Sequence, residues 1–109
     1  MNEKIRYEDF EKLDLRIATI KKVEEHPNAD KLYILTIDLG IETRIIVAGI
    51  RKYYSPENLI NKQIIVVANL EPVKLRGIES NGMLLAADDG KNVVILTPEK
   101  KIENNAKVK

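Results

Sequence analysis

Cysteine is absent from the 109 residues, which removes disulfides, thiolate nucleophiles, zinc knuckles and iron–sulfur ligation together. Histidine occurs once, at position 26, so no second imidazole or thiolate can share a metal with it. No metal site and no cofactor are therefore expected. Long apolar runs are missing too. Stretches such as Ile45–Ile50 and Ile64–Ala68 fall far short of the ~20 residues a membrane span needs. No basic segment followed by an apolar core and a small-residue cleavage site opens the chain, and no Asn-x-Ser/Thr site occurs. The expectation is a cytoplasmic protein with no membrane association. Repeats, low-complexity tracts and Gly/Ser linkers are likewise absent, which predicts a single domain over residues 1–109, its core spanning about 10–108. A chain of this size buries roughly 60–70% of its unfolded surface, enough for one core.

Charge of one sign is scarce. Eighteen Lys and Arg against seventeen Asp and Glu leave a net +1, little for a polyanion binder. The distribution is uneven, however. Residues 1–42 carry seven basic and ten acidic side chains, residues 43–76 carry six and two, and residues 77–109 carry five of each. The basic excess is concentrated in the middle of the chain, where it forms either a local patch or an ordinary solvated face.

What is present is strand periodicity. Phe10 and Leu13, spaced i, i+3 among acids, predict a short helix within Tyr7–Leu13. Leu15 and Ile17 then alternate, and Ala18 and Ile20 take the opposite parity before Val23. Such a slip predicts a bulge that bends a long strand around a small barrel. His26-Pro27-Asn28-Ala29-Asp30 reads as a turn. Tyr33–Leu39 alternates as a second strand, and Thr43–Ile50 is a third, apolar on both parities. Ser55-Pro56-Glu57 carries helix start signals, giving a short helix that finishes near Ile60-Asn61. Lys62–Leu70 is a fourth strand, Pro72 and Gly77 bracket a loop, and Met83–Ala87 is a fifth strand. Asp89-Gly90 turns into a sixth, Val93–Leu96. Short strands with one helix between the third and fourth predict an all-β fold, a five-stranded Greek-key barrel of the oligonucleotide-binding (OB) type. An SH3-like barrel leaves the Ser55–Asn61 helix unexplained.

Catalytic constellations are hard to find. The glycines at 40, 49, 77, 82 and 90 match neither G-x-G-x-x-G nor a P-loop. Glu24 and Glu25 are adjacent on a strand and face opposite ways, so they cannot share a proton. Asp88-Asp89 belongs to a turn, and His26 reads as a lone surface histidine. Binding chemistry has more support. Asn28 and Lys31 lie in the first connection, Arg51 and Lys52 beside Tyr53-Tyr54 in another loop, and Lys74, Arg76, Ser80, Asn81 and Met83 on one segment. Lys and Arg neutralise phosphates, Ser and Asn hydrogen-bond sugars or base edges, and Met or Tyr packs against an unstacked base. In an OB barrel the first and fourth connections converge on one rim. Each residue also has a plainer reading: Lys74 and Arg76 as solubilising charges, Met83 as core.

Longer motifs carry a resemblance. His26-Pro27-Asn28-Ala29-Asp30-Lys31-Leu32-Tyr33, the run Val67–Gly77 and the run Glu79–Ala87 resemble the tRNA-binding domain family, with Asp14–Ile17, Val47–Ile50 and Tyr53–Glu57 as further blocks. That family is found at the C-terminus of bacterial methionyl-tRNA synthetases, in endothelial monocyte-activating polypeptide II and as free-standing tRNA-binding proteins. The similarity covers about Phe10 to Val108. It implies an OB fold that binds tRNA by shape and backbone and is not itself an enzyme. The implied role is to assist an aminoacyl-tRNA synthetase, methionyl-tRNA synthetase first, in trans. With Met1 close to the start of the similarity, the expectation is a free-standing member, similar to a methionyl-tRNA synthetase β subunit. The family's Ser-x-Gly-Met element falls on Ser80, Gly82 and Met83, and its Lys-Leu-Arg-Gly element on Lys74–Gly77. Asn104-Asn105 stands where the family often has Pro-Gly, which leaves the tail's geometry open.

The family's free-standing members tend to be homodimers, and Ile5–Phe10 and Val93–Leu96 are surplus to a five-stranded barrel. They either cover a neighbour's exposed edge or plug the chain's own barrel. Two rival functions share the fold: a secretion-associated chaperone that binds unfolded peptide, and a module that docks on a synthetase.

Overall fold

The computed structural model describes residues 1 and 3–109. A short helix, α1 (Tyr7–Glu11), buries none of its own residues and leads into the longest strand, β1 (Leu15–Glu25). Antiparallel partners flank β1 on both edges. On one side lies β2 (Tyr33–Asp38), which pairs in turn with β3 (Thr43–Ala48); on the other lies β4 (Gln63–Val67). Thr19 faces Asp38 and Ile20 faces Ile37, but Lys22 faces Thr36, so Lys21 is the extra residue of a bulge. The expected bulge is present, displaced from the Ile17/Ala18 parity slip. Between Leu15 and Thr19 the register with β4 is unbroken. Leu15, Ile17 and Ala18 are all buried there, so both faces are covered and the backbone has not slipped.

The predicted Ser55–Asn61 helix shortens to a single 3₁₀ turn, Pro56–Asn58, and Ser55 makes no side-chain cap bond. Pro56 starts the turn, and Asn61, at φ 67°, ends it by donating its N–H to the Ile20 carbonyl. The turn delivers Leu59, fully buried, into the barrel's core. Burial of one such side chain is worth about 1.5–3 kcal/mol.

The expected loop from Pro72 to Gly77 is instead most of a hairpin. β5 (Val73–Leu75) and β6 (Ile78–Ser80) pair as Val73↔Ser80, Lys74↔Glu79 and Leu75↔Ile78. Arg76 and Gly77 form its two-residue turn with φ of 53° and 88°, the positive pair that a tight type I′ hairpin demands. The fifth strand divides. β7 (Met83–Leu84) pairs with β4, and β8 (Ala86–Asp88) pairs with β9 (Val93–Ile95).

The main sheet runs β3-β2-β1-β4-β7, and a seam beside β3 nearly closes it. Asn81 N–H donates to the Ile45 carbonyl at 2.9 Å, and Val47 N–H donates to Ser80 Oγ at 2.9 Å. The Ser80 hydroxyl in turn donates to the Gly82 carbonyl at 2.9 Å. Gly82, at φ 124°, is required here: a Cβ would stand 3.1 Å from the Val67 carbonyl oxygen and 3.3 Å from a Val66 methyl. With β7 between β3 and β4, the order is that of an OB-like β-barrel. Ala18, Ile20, Leu35, Ile37, Ile46, Ile64, Val66 and Leu84 fill it.

Of the two surplus segments, Val93–Leu96 serves its own chain. Ile95 is buried in the core, and its N–H donates to the Tyr54 hydroxyl at 3.1 Å. The C-terminal segment returns along β1. β10 (Lys107–Val108) pairs with Leu15 and Arg16, and Asn105 N–H donates to the Ile17 carbonyl at 2.7 Å. Asn105 adopts φ 73°, a left-handed conformation that Asn tolerates nearly as Gly does. Asn104 Oδ1 accepts from Thr19 Oγ1 at 2.9 Å and from Gln63 Nε2 at 3.2 Å. The Asn-Asn pair therefore anchors the tail without Pro-Gly.

Candidate nucleic-acid interface

Two loops and one hairpin converge at the end of β1. The first connection, from His26 to Leu32, is closed by its own backbone: His26 N–H donates to the Leu32 carbonyl at 3.2 Å, and Leu32 N–H to the Ala29 carbonyl at 3.2 Å. Pro27 offers no N–H, and Asn28 N–H donates to His26 Nδ1 at 3.0 Å. His26 is not at the surface as its sequence context suggests; it is 2% exposed, and its Nε2 lies 2.9 Å from the Leu75 carbonyl oxygen in the β5–β6 hairpin. The first and fourth connections thus meet at one rim.

The third element is the loop after β3. Arg51 N–H donates to the Lys31 carbonyl at 3.4 Å, which attaches this loop to the first connection. Its guanidinium is directed inward: Nη1 donates to the Ala29 carbonyl at 3.3 Å and Nη2 pairs with Glu25 at 3.1 Å. As placed, Arg51 supports the loop rather than presenting a free cation. Lys52 beside it is exposed, as are Asn28, Lys31, Lys74 and Arg76. Among the described residues, none of Lys31, Lys52, Lys74 and Arg76 takes part in an ion pair. Lys74 faces Glu79 across the hairpin, which moderates the local positive potential.

The remaining three candidates lie beyond the hairpin base, on the β3 seam. Ser80 is 3% exposed and its hydroxyl is spent on closing the barrel, so it is not placed to meet a ligand. Asn81 is half-buried with its N–H used by Ile45. Met83 is 49% exposed, so the core reading of this residue does not hold. Exposed Ile45 and Val73 lie on the strands adjoining the same seam.

Sequence reasoning missed His26 and Tyr54 as organising residues. The Tyr54 carbonyl accepts from the buried Tyr33 hydroxyl at 2.6 Å. Its ring lies under Lys62, with Nζ 5.9 Å from the centroid. A groove of about 1270 Å³ lies elsewhere, between residues 97–104 and the start of β4. Among the described residues, no group of three or more His, Cys, Asp or Glu side chains is placed to hold a metal, and no helix is long and apolar enough to cross a membrane.

A model of the tRNA binding domain family matches residues 15–107 of the chain. The chain belongs to the tRNA-binding domain family. Its relatives include the methionine–tRNA ligase of Pyrococcus horikoshii, 62% identical over 107 residues, which are 98% of this chain and 15% of the ligase. The chain therefore spans about one seventh of the length of the curated relatives it matches. Among solved structures it is similar to a methionyl-tRNA-synthetase-related protein from Pyrococcus horikoshii, at a TM-score of 0.92 and 34% identity over 98% of this chain and 99% of that one. It is also similar to the chaperone CsaA of Bacillus anthracis, at a TM-score of 0.90 and 35% identity over 98% and 100%. The tRNA-binding domain blocks read from the sequence, His26–Tyr33, Val67–Gly77 and Glu79–Ala87, are segments that build the rim and the seam.

Proposed function

We propose that this tRNA-binding domain, as one unit over residues 1–109, binds tRNA by its shape and backbone. It performs no chemistry on the tRNA and assists an aminoacyl-tRNA synthetase, the methionyl enzyme first, in trans and in the cytoplasm. The observation that carries this reading is the set of exposed, unpaired cations on loops that are hydrogen-bonded to one another. Lys31, Lys52, Lys74 and Arg76 are the phosphate contacts in this reading, Asn28 a sugar or base-edge contact, and Met83 with Asn81 a surface for an unstacked base. Arg51 and Ser80 contribute by holding the loops and the seam. Family membership and the methionine–tRNA ligase relatives support the choice of ligand and of synthetase.

A gel-shift titration of unfractionated tRNA at two salt concentrations tests the proposal. Each neutralised phosphate adds about 0.7–0.9 to the slope of log affinity against log salt, so four cations give a modest slope of about 3. Affinity that ignores salt would remove the electrostatic basis of the reading.

A second reading, peptide binding of the kind a chaperone performs, is favoured by the similarity to CsaA and by the exposed Ile45, Val73 and Met83 around the seam. Suppression of aggregation by the isolated chain, without tRNA binding, would select it. We further infer a homodimer.

A further inference from the structure

His26 has two hydrogen-bonding partners of opposite kind. Asn28 N–H can only donate, so Nδ1, 3.0 Å away, carries the lone pair. The Leu75 carbonyl can only accept, so Nε2, 2.9 Å away, carries the proton. The two partners fix which ring nitrogen donates and which accepts, and the side chain is buried, at 2% exposure. On one side of the imidazole lies the turn that presents Asn28 and Lys31. On the other lies Leu75, whose sequence neighbours are Lys74 and Arg76.

The hairpin's other support lies at its base, where β6 packs beside β3. β5 and β6 form a separate two-stranded sheet of three residue pairs. Val73 pairs with Ser80 at the hairpin's base, and the His26–Leu75 bond joins the strand next to its tip to the first connection. A two-stranded ribbon is marginal alone. Its charged tip would otherwise pivot about the seam, where Ser80 ties the base to Val47 at 2.9 Å.

We propose that His26 is a positioning residue for polyanion recognition: its Nε2–H fixes the Lys74–Arg76 hairpin against the loop of Asn28 and Lys31, so that cations from two connections act as one constellation. The proposal rests on the tRNA reading above. Fixing the spacing in advance spares the ordering cost that two independently moving groups incur on binding.

Two substitutions separate the two bonds. In His26→Asn the side-chain oxygen stands near the position of Nδ1 and can still accept from Asn28 N–H, as in an Asx turn, but it cannot reach Leu75. In His26→Gln the amide nitrogen reaches toward Leu75 in place of Nε2. Affinity for unfractionated tRNA is measured across a salt series for the wild type and both variants, beside amide exchange of residues 73–80 and melting temperature. In His26→Asn, faster exchange in the hairpin is expected with affinity several-fold weaker. The salt slope should be shallower by about 0.7–0.9 for each of the two hairpin cations released. His26→Gln should restore most of both. Wild-type slope and affinity in His26→Asn would overturn the positioning role while leaving the tRNA reading intact. So would equal loss of melting temperature in both variants with unchanged affinity of the folded fraction. Wild-type protein that shows no salt-dependent binding would overturn the tRNA reading, and the proposal with it.

Discussion

Ser80 and Met83 stand three residues apart on one motif and face opposite ways, one 3% and the other 49% exposed. Their phase was not legible in the sequence. Met83-Leu84-Leu85 is apolar on both parities, so no alternation marks the inner face, and a serine nearby suggests an outer one. The hydroxyl lies inward because the β3 seam lacks a backbone partner for Val47 N–H and Ser80 Oγ supplies one. Ser80→Ala should therefore cost about 1–3 kcal/mol, the penalty of leaving a buried N–H unsatisfied, measured by urea unfolding. Met83→Ala should change stability by less than about 1 kcal/mol, as an exposed site does, while lowering tRNA affinity at an unchanged salt slope because no charge is lost. Destabilisation by Met83→Ala of the size seen for a core residue would remove the contact role. His26 was misjudged for a related reason: beside Pro27 in a turn, it carries no periodicity that reports burial.

At the level of elements, β2 was legible from its alternation, β1 from alternation on either side of a parity slip, and β3 from an apolar run on both parities. The β5–β6 hairpin was not. Each of its strands has three residues, too few to show a period, and Arg76-Gly77 lacks the Asn-Gly or Asp-Gly that announces a type I′ turn. The β8–β9 turn was legible from Asp89-Gly90, and its acids do more than stay solvated. Asp89 Oδ1 accepts from Lys91 N–H at 2.9 Å and Asn92 N–H at 2.7 Å, and Asp88 Oδ1 accepts from Gly90 N–H at 2.8 Å. The Asn92 and Lys91 amides hold the Asp89 carboxyl below the usual aspartate range. A depressed folded-state value means that this support is complete above the ordinary, unfolded range and is lost as pH falls through the lowered one. In an acid titration followed by NMR, the Lys91 and Asn92 amides should lose protection at a pH where β1 and β2 keep theirs. Asp89→Asn retains an acceptor oxygen and should abolish that pH dependence; an unaltered acid profile in this variant would assign the effect elsewhere.

For the whole molecule, the open question is what meets the apolar outer side of the seam. Ile45 is 38% exposed, Met83 49% and Val73 53%. All three adjoin one short stretch of chain: Asn81 bonds to Ile45, Ser80 pairs with Val73, and Met83 follows Gly82. Barrel closure sets Ile45 beside a stretch of chain distant in sequence, so no window of residues could have displayed that neighbourhood. Single exposed apolar side chains need no partner, whereas large ones near one another mark a candidate interaction surface. A base, an unfolded peptide and a second copy of the chain would each suit it, and they differ in stoichiometry. If a second copy is the occupant, light scattering at micromolar concentration should return twice 12.4 kDa. Ile45→Lys, which places charge on that face without touching the core, should then return the single mass and leave the tRNA salt slope unchanged. Wild-type protein at 12.4 kDa would set the dimer aside and leave the face to nucleic acid or peptide. A dimer that survives Ile45→Lys would move the interface elsewhere, with the exposed Ile5–Tyr7 segment the next place to look.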